Sequence, residues 1–124
     1  MEERDPLSHL VIGAAIEVHR IMGPGLLESV YQRCIEQELR LRGAVFEAQV
    51  LIPLEYKGTK LNDELKIDLF FPGQLVVELK AVEELHPVHE AQLLTYLRLS
   101  KTRVGLLINF NVPVLKDGVK RMVL

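Results

Sequence analysis

Three charged side chains interrupt two segments whose other residues are mostly apolar. Asp68 lies within residues 66–71, and Glu78 and Lys80 lie within residues 75–81. Apolar residues occupy both faces of these segments, so we expect both faces to be covered. A covered charge costs several kcal/mol unless a partner or a metal ion compensates it. An aspartate on one strand and Glu-x-Lys on the next would supply two oxygen ligands and one cation, the set that metal-assisted hydrolysis of a phosphodiester requires.

The two segments are predicted to form a hairpin. Pro72 and Gly73 suit the middle of a type II turn, and in such a hairpin Asp68 lies across from Glu78 or within one residue of it. The two carboxylates would then come within ~5–8 Å of each other. The odd-numbered residues of both strands are apolar throughout, which predicts that the three charged residues share the opposite face. This odd-numbered set is Ile67, Leu69, Phe71, Leu75, Val77, Leu79 and Ala81.

Two carboxylates and a few waters are the usual protein contribution to a magnesium site. The ion would lower the pKa of a bound water and neutralise charge that develops on the phosphate. Lys80 would orient that water or stabilise the anionic phosphate as a point charge. The alternative is a buried ion-pair network in which Lys80 neutralises Asp68 and Glu78 without catalysis. Because one negative charge is left over, the pattern favours a cation, Mg²⁺ or Mn²⁺, as the missing partner.

Four further polar side chains are predicted beside the hairpin. Gln92 and Tyr96 are four residues apart and His89 precedes Gln92 by three, so they project from one helix face near the end of the second strand. Gln92 is predicted to fix a water or a phosphate, and Tyr96 to stack on a base or a sugar. The alternatives are a polar contact with the sheet and a core tyrosine. Glu28 either lines the site or interacts with the free N–H groups of its own helix.

Periodicity predicts the elements that position these residues. Apolar residues recur every three or four positions in two segments joined by Gly-Pro-Gly, which predicts a packed helical hairpin. Pro53 favours an edge position for the first strand, and a later helix followed by a buried strand predicts a right-handed parallel crossover. The order predicts an α/β fold with a mixed sheet, an αβββαβ core preceded by an extra helix. We predict helices at 7–22, 26–42 and 88–100, strands from 45 and at 64–71, 74–81 and 104–110, a turn at 57–60, and a short edge strand at 119–124.

Composition bounds the function. The 124 residues, at 14.1 kDa, suit a single domain spanning 1–124. The formal net charge is −2, whereas proteins that hold nucleic acid by charge alone are usually basic, so contact with nucleic acid would need a local patch or a metal ion. No stretch approaches the ~20 apolar residues of a membrane span, and the segment 1–6, which is mostly acidic, does not resemble a signal peptide. We expect a cytoplasmic protein with no membrane partner.

The same residues carry a resemblance to a known family. Residues 25–31 (GLLESVY), Asp68, the Glu-Leu-Lys at 78–80 and residues 92–96 (QLLTY), in this order, resemble the GxxExxY branch of the PD-(D/E)XK nuclease superfamily. The resemblance extends from about residue 9 to residue 120. It implies a restriction-endonuclease-like core and a divalent-metal-dependent phosphodiester hydrolase, a nuclease that we expect to act on DNA.

The resemblance also implies roles for single residues. Asp68 and Glu78 would be the metal ligands and Lys80 the catalytic lysine, and Glu28 matches the superfamily's acidic residue on the first core helix. Two alternatives stay open: a non-catalytic nuclease-like binding module, or a subunit of a larger nucleic-acid-processing complex. Cleavage of two strands would favour a homodimer. The predicted site therefore comprises catalytic Asp68, Glu78, Lys80 and Gln92, with Glu28, His89 and Tyr96 binding substrate.

Overall fold

The computed structural model describes residues 5–124, so most of the predicted acidic start, residues 1–4, lies outside it. The predicted α/β fold with a mixed sheet is confirmed, and the element order is the predicted one. The helices are α1 (Pro6–Met22), α2 (Glu28–Leu41) and α3 (Pro87–Ser100). The strands are β1 (Glu47–Tyr56), β2 (Thr59–Phe71), β3 (Leu75–Lys80), β4 (Val104–Asn109) and β5 (Val119–Val123), with a 3₁₀ turn at Leu115–Gly118.

The five strands form one sheet in the order β1-β2-β3-β4-β5. Strands β3 and β4 pair in parallel, and the other neighbours are antiparallel. Because α3 connects the two parallel strands, the predicted parallel crossover is confirmed. The first and last strands both lie at edges of the sheet, as predicted. The turn between β2 and β3 has the expected Phe71–Gln74 backbone hydrogen bond at 2.8 Å and a positive φ of 74° at Gly73.

Helices cover both faces of the sheet, and each face has its own apolar cluster. The larger cluster joins α1 and α2 to one face, and within it the ring of Tyr31 stacks on Phe110 with centroids 4.5 Å apart. The smaller cluster joins α3 to the other face through Leu93 and Leu97, which pack against Val76 and other sheet residues. The central strands are therefore buried on both sides, which is why a charge within them needs compensation.

The hairpin formed by β1 and β2 is longer than predicted. Strand β2 begins at Thr59 rather than at residue 64, and the turn is reduced to Lys57 and Gly58, with φ of 49° and 83°. Two positive φ values match the mirror-image turns that join tightly twisted strands. Residues 59–64 are all exposed, so they lack the apolar alternation that marks a half-buried strand. The backbone pairing with β1 extends the strand instead.

Strand β2 changes the face that it presents to the helices at Asp68. Leu69 packs in the larger cluster, whereas Ile67 packs in the smaller one with Leu93. The prediction that all odd-numbered residues share one face is therefore wrong at Ile67. The physical reason lies on β1, where Gln49, opposite Asp68, has a φ of 54° and breaks the regular pleat.

Candidate metal centre

The predicted acids lie where β2 and β3 separate. The ladder between these strands ends at the Leu69–Val77 pair, so Asp68 and Glu78 occupy the next opposed positions. At these positions side-chain carboxylates, rather than backbone carbonyls, accept the hydrogen bonds that join the two strands. The N–H of Leu79 donates to Asp68 Oδ2 at 2.8 Å, and the N–H of Asp68 donates to Glu78 Oε2 at 3.2 Å. Each carboxylate is thus fixed to the backbone of the opposite strand. We call the gap between β2 and β3 beyond the Leu69–Val77 pair, where Asp68 and Glu78 lie, the fork.

Burial dominates the electrostatics of the fork. Asp68 is 6% exposed and Glu78 is 5% exposed. Burial, followed by the charge of Asp68, raises the pKa of Glu78 to about 9. Burial also raises the pKa of Asp68. Within residues 5–124 neither carboxylate takes part in an ion pair within 4.0 Å. The geometry therefore differs from the alternative in which Lys80 locks both acids into a buried network.

This donor set fits a hard divalent cation. Both carboxylates are desolvated, and among residues 5–124 neither has a cationic side chain within 4.0 Å, so a divalent ion would neutralise the charge that they carry when ionised. Mg²⁺ prefers oxygen ligands at short distance and keeps several of its waters. In the described part of the chain no three His, Cys, Asp or Glu side chains form a metal-binding group. An ion here would be held by Asp68, Glu78 and water.

Lys80 lies beside the fork and contacts α3. Its Nζ donates to Gln92 Oε1 at 3.5 Å, the long limit of a hydrogen bond, and Gln92 Nε2 donates to the Tyr96 hydroxyl at 3.2 Å. His89 is held by the backbone N–H of His86, which donates to its Nδ1 at 3.0 Å. A depression of about 580 Å³ is lined by Lys80, His89 and Gln92, among others. The structure thus brings Lys80 together with His89 and Gln92, two of the residues predicted to lie near the end of its strand.

Tyr96 is a core residue in this arrangement. It is 7% exposed and packs in the smaller apolar cluster, which is the alternative that periodicity left open. Burial and the charges of Glu78 and Asp68 raise the pKa of its hydroxyl. A base cannot stack on a ring so enclosed. The hydroxyl instead accepts a hydrogen bond from the amide of Gln92. Any role of Tyr96 in substrate binding would therefore be indirect, through Gln92.

Glu28 lies on the other side of the fork, at the first residue of α2. The residue is exposed, but partial burial of its carboxyl group, followed by the charge of Asp68, raises its pKa. It lines a depression of about 510 Å³ together with Arg33, Lys66 and Asp68, among others. Glu28 thus lies at the N-terminus of α2 and lines the same depression as Asp68.

Two glutamines that sequence reasoning missed hold Asp68. The amide of Gln32, 8% exposed, donates to the backbone carbonyl of Asp68 at 2.9 Å and to Glu36 at 2.8 Å. The amide of Gln49 donates to Asp68 Oδ1 at 3.2 Å. Gln32 follows Glu28 by one helical turn, a spacing that signals a shared face. No sequence pattern indicates Gln49.

A buried asparagine fixes the chain after Lys80. Asn109 lies beside Lys80 in the parallel ladder and is 1% exposed. Its Nδ2 donates to the carbonyl of Val82 at 2.9 Å, and the N–H of Val82 donates to its Oδ1 at 3.0 Å. This pair of bonds sets the path from the strand that carries Glu78 and Lys80 to the helix that carries Gln92.

A family model described as the PD-(D/E)XK nuclease superfamily matches residues 5–122. No curated protein and no solved structure matches the chain significantly. Across residues 5–124, none of the helices combines the length and the apolar character needed to cross a membrane.

Proposed function

Because the chain belongs to the PD-(D/E)XK nuclease superfamily, we propose that it is a nuclease that hydrolyses phosphodiester bonds in DNA with Mg²⁺ or Mn²⁺. The observation that carries the proposal is the pair of buried acids, Asp68 and Glu78, which are fixed in the fork with no cationic side chain of residues 5–124 within 4.0 Å. A structural ion pair would place Lys80 against them. A metal centre needs them ionised and free to share an ion, with Lys80 alongside.

Each residue of the site has a distinct task in this proposal. Asp68 and Glu78 hold the ion, which when bound supplies a water of lowered pKa and positive charge beside the phosphate. Lys80 places an ammonium group at the same phosphate and stabilises the negative charge that develops there. Gln92 accepts a hydrogen bond from Lys80 and so limits the directions in which the ammonium points. Glu28 and His89 border the two depressions through which substrate would reach the fork.

We also assign the chain to the GxxExxY branch of the superfamily. The local geometry supports this assignment because it gives each motif residue a task. Gly25 has a φ of 95°, which glycine adopts without strain. The Tyr31 hydroxyl donates to the carbonyl of Gly23 and accepts from the N–H of Leu26 at 3.1 Å. The loop is thereby tied down, and Glu28 begins α2 at the edge of the fork.

The test of activity is incubation of the purified protein with linear duplex, nicked and single-stranded DNA in the presence of Mn²⁺ or Mg²⁺. We expect cleavage that EDTA stops and that falls by about 10²-fold or more in Asp68→Asn, Glu78→Gln and Lys80→Ala, the scale on which loss of one charge-stabilising group acts. Lys116→Ala and Asp117→Asn, which alter exposed charges in the 3₁₀ turn, are the matched controls and should retain activity. Cleavage that persists in the site variants would come from a contaminant.

A second measurement separates the nuclease from a non-catalytic binding module. Addition of Mn²⁺ should raise the melting temperature of the native protein and leave that of Glu78→Gln nearly unchanged. Saturable DNA binding without turnover, together with a melting temperature that is indifferent to Mn²⁺, would support the binding module instead.

A further inference from the structure

We propose that Gln49 is a positioning residue of the metal centre, whose amide group orients the carboxylate of Asp68 toward the fork. This inference rests on the proposed function, because it concerns a ligand of the same centre. Gln49 would not touch the ion or the substrate; it would act through Asp68 alone.

The first observation is the backbone of Gln49. Among the non-glycine residues at positions 5–124, positive φ values occur at Gln49, Lys57 and Lys101. Lys57 lies in a two-residue hairpin turn and Lys101 caps the C-terminus of α3, where a left-handed conformation is ordinary. Gln49, with a φ of 54°, lies inside β1. Such a conformation costs free energy in a strand and persists where the surrounding structure requires it, often at functional sites.

The second observation is the position of this strained residue in the ladder. Gln49 and Asp68 face each other between the Ala48–Leu69 and Val50–Ile67 pairs. The packing changes face there: Leu69 and Phe46, which lies just before β1, pack in the larger cluster, whereas Ile67 and Val50 pack in the smaller one. The strained residue therefore lies opposite Asp68, at the position where β2 departs from the regular pleat and borders the fork.

The third observation is the contact itself. Asp68 Oδ2 is held by the N–H of Leu79 at 2.8 Å, and Gln49 Nε2 holds Oδ1 at 3.2 Å. With a donor on each oxygen, rotation of the carboxylate is restricted. A lysine or arginine would hold it equally well but would also neutralise it. A neutral amide leaves the negative charge available for a cation, which is the usual role of groups that orient metal ligands.

The experiment uses two substitutions of Gln49 and measures Mn²⁺ affinity by titration calorimetry alongside the melting temperature of the metal-free protein. Gln49→Gly removes the amide and relieves the backbone strain, so the metal-free protein should melt at the same or a higher temperature. Gln49→Met keeps the length of the side chain and removes its donor. Both variants should bind Mn²⁺ about tenfold more weakly, the lower end of the effect of losing a group that orients a ligand.

Lys101→Gly is the matched control, since it relieves the same kind of backbone strain away from the fork. It should leave Mn²⁺ affinity unchanged. Mn²⁺ affinities of both Gln49 variants within twofold of the native value would overturn the proposal. Failure of the proposed nuclease function looks different: DNA stays uncleaved while native Mn²⁺ binding, and its weakening in Gln49→Gly, persist. Absence of Mn²⁺ binding by the native protein would overturn both.

Discussion

At the scale of single residues, a metal ion held as proposed would compete with the proton for Glu78. Burial and the charge of Asp68 both disfavour its ionised form, and its pKa rises to about 9. Neutral Glu78 can still accept the N–H of Asp68, so the metal-free site is compatible with the fold. An ion in the fork would reverse the preference, because a divalent charge stabilises both carboxylates in their ionised state. Protonation and metal binding should therefore exclude each other.

This competition predicts the pH dependence of stability. Glu78 titrates near 4.5 when unfolded and near 9 when folded, so its contribution is fully present below the lower value and is lost as pH rises through the higher one. For the metal-free protein the free energy of unfolding should fall across this window by up to about 1.4 kcal/mol per pH unit. Thermal unfolding in EDTA and in Mn²⁺ at pH 6, 7 and 8 measures this dependence. The rise in melting temperature caused by Mn²⁺ should grow with pH.

Glu78→Gln is the control for the pH series, since it removes the titrating group and keeps the shape. Its metal-free stability should be higher than that of the native protein at pH 8 and should vary less with pH. An equal effect of Mn²⁺ at pH 6 and pH 8 would contradict the competition.

Gln92 offers a second test at this scale. It contacts Lys80 and Tyr96 and has no hydrogen bond to Asp68 or Glu78. In Gln92→Ala the lysine loses an orienting partner while the carboxylates keep theirs. We expect DNA cleavage to slow by about tenfold, which is one lost hydrogen bond to a charged group, with no change in Mn²⁺ affinity.

Thr95→Ala is the matched control for Gln92→Ala. Thr95 lines the same depression, but its hydroxyl donates to the carbonyl of Ala91 in its own helix. It should leave the rate within about twofold of native. Weaker Mn²⁺ binding in Gln92→Ala would place Gln92 in the metal centre rather than beside Lys80.

At the scale of secondary-structure elements, the sequence predicts what depends on repeated burial. Helices α1 and α3 begin within one residue of the predicted positions, and β3 carries Glu78 and Lys80 within the predicted strand. The start of β2 was wrong by five residues because Thr59 and its neighbours are exposed. The change of face at Asp68 was also missed. The change of face depends on one backbone torsion of Gln49, which lies on another strand. A single unusual torsion leaves no periodic pattern in the sequence of β2.

The elements around Asn109 give a test of how the strand carrying Lys80 is held. A Cβ added to Gly118 would clash with the carbonyl oxygen of Asn109, which is backbone and has little freedom to move. Gly118→Ala should therefore lower the free energy of unfolding by about 1–3 kcal/mol, the usual cost of overpacking. It should also slow cleavage, because Asn109 holds Val82 and the segment that leads to α3. Urea denaturation and the cleavage assay measure the two effects.

Gly13→Ala is the matched control within a helix. Its added Cβ would meet only the guanidinium end of Arg42, a flexible group, at 3.1 Å, and alanine favours helix over glycine by about 1 kcal/mol. Its stability should be equal or higher. A Gly118→Ala protein as stable as Gly13→Ala would show that the 3₁₀ turn can move without disturbing Asn109.

At the scale of the whole molecule, the charge predicts that the proposed binding of DNA requires a bound metal ion. The formal net charge is −2, and three acids, Glu28, Asp68 and Glu78, border or fill the fork. Phosphate is repelled from such a surface until a cation occupies it. Positive groups line both depressions: Lys80 lines one, and Arg33 and Lys66 line the other. Together they suggest a short path for a nucleic-acid backbone across the fork, with few phosphate contacts.

This arrangement predicts metal-dependent and only moderately salt-dependent binding of DNA. Ca²⁺ takes the same oxygen ligands with a looser geometry, so it should allow binding to be measured by fluorescence anisotropy without cleavage, whereas EDTA should abolish binding. Three phosphate contacts at −0.9 each give a slope of log K against log salt of about −2.7, and Arg33→Ala or Lys66→Ala should reduce that slope by about one. Asp68→Asn should lose the response to Ca²⁺. Equal affinity for DNA in Ca²⁺ and in EDTA would mean that the chain binds DNA through another surface, as a binding module would. The fork would then not be the substrate-binding site.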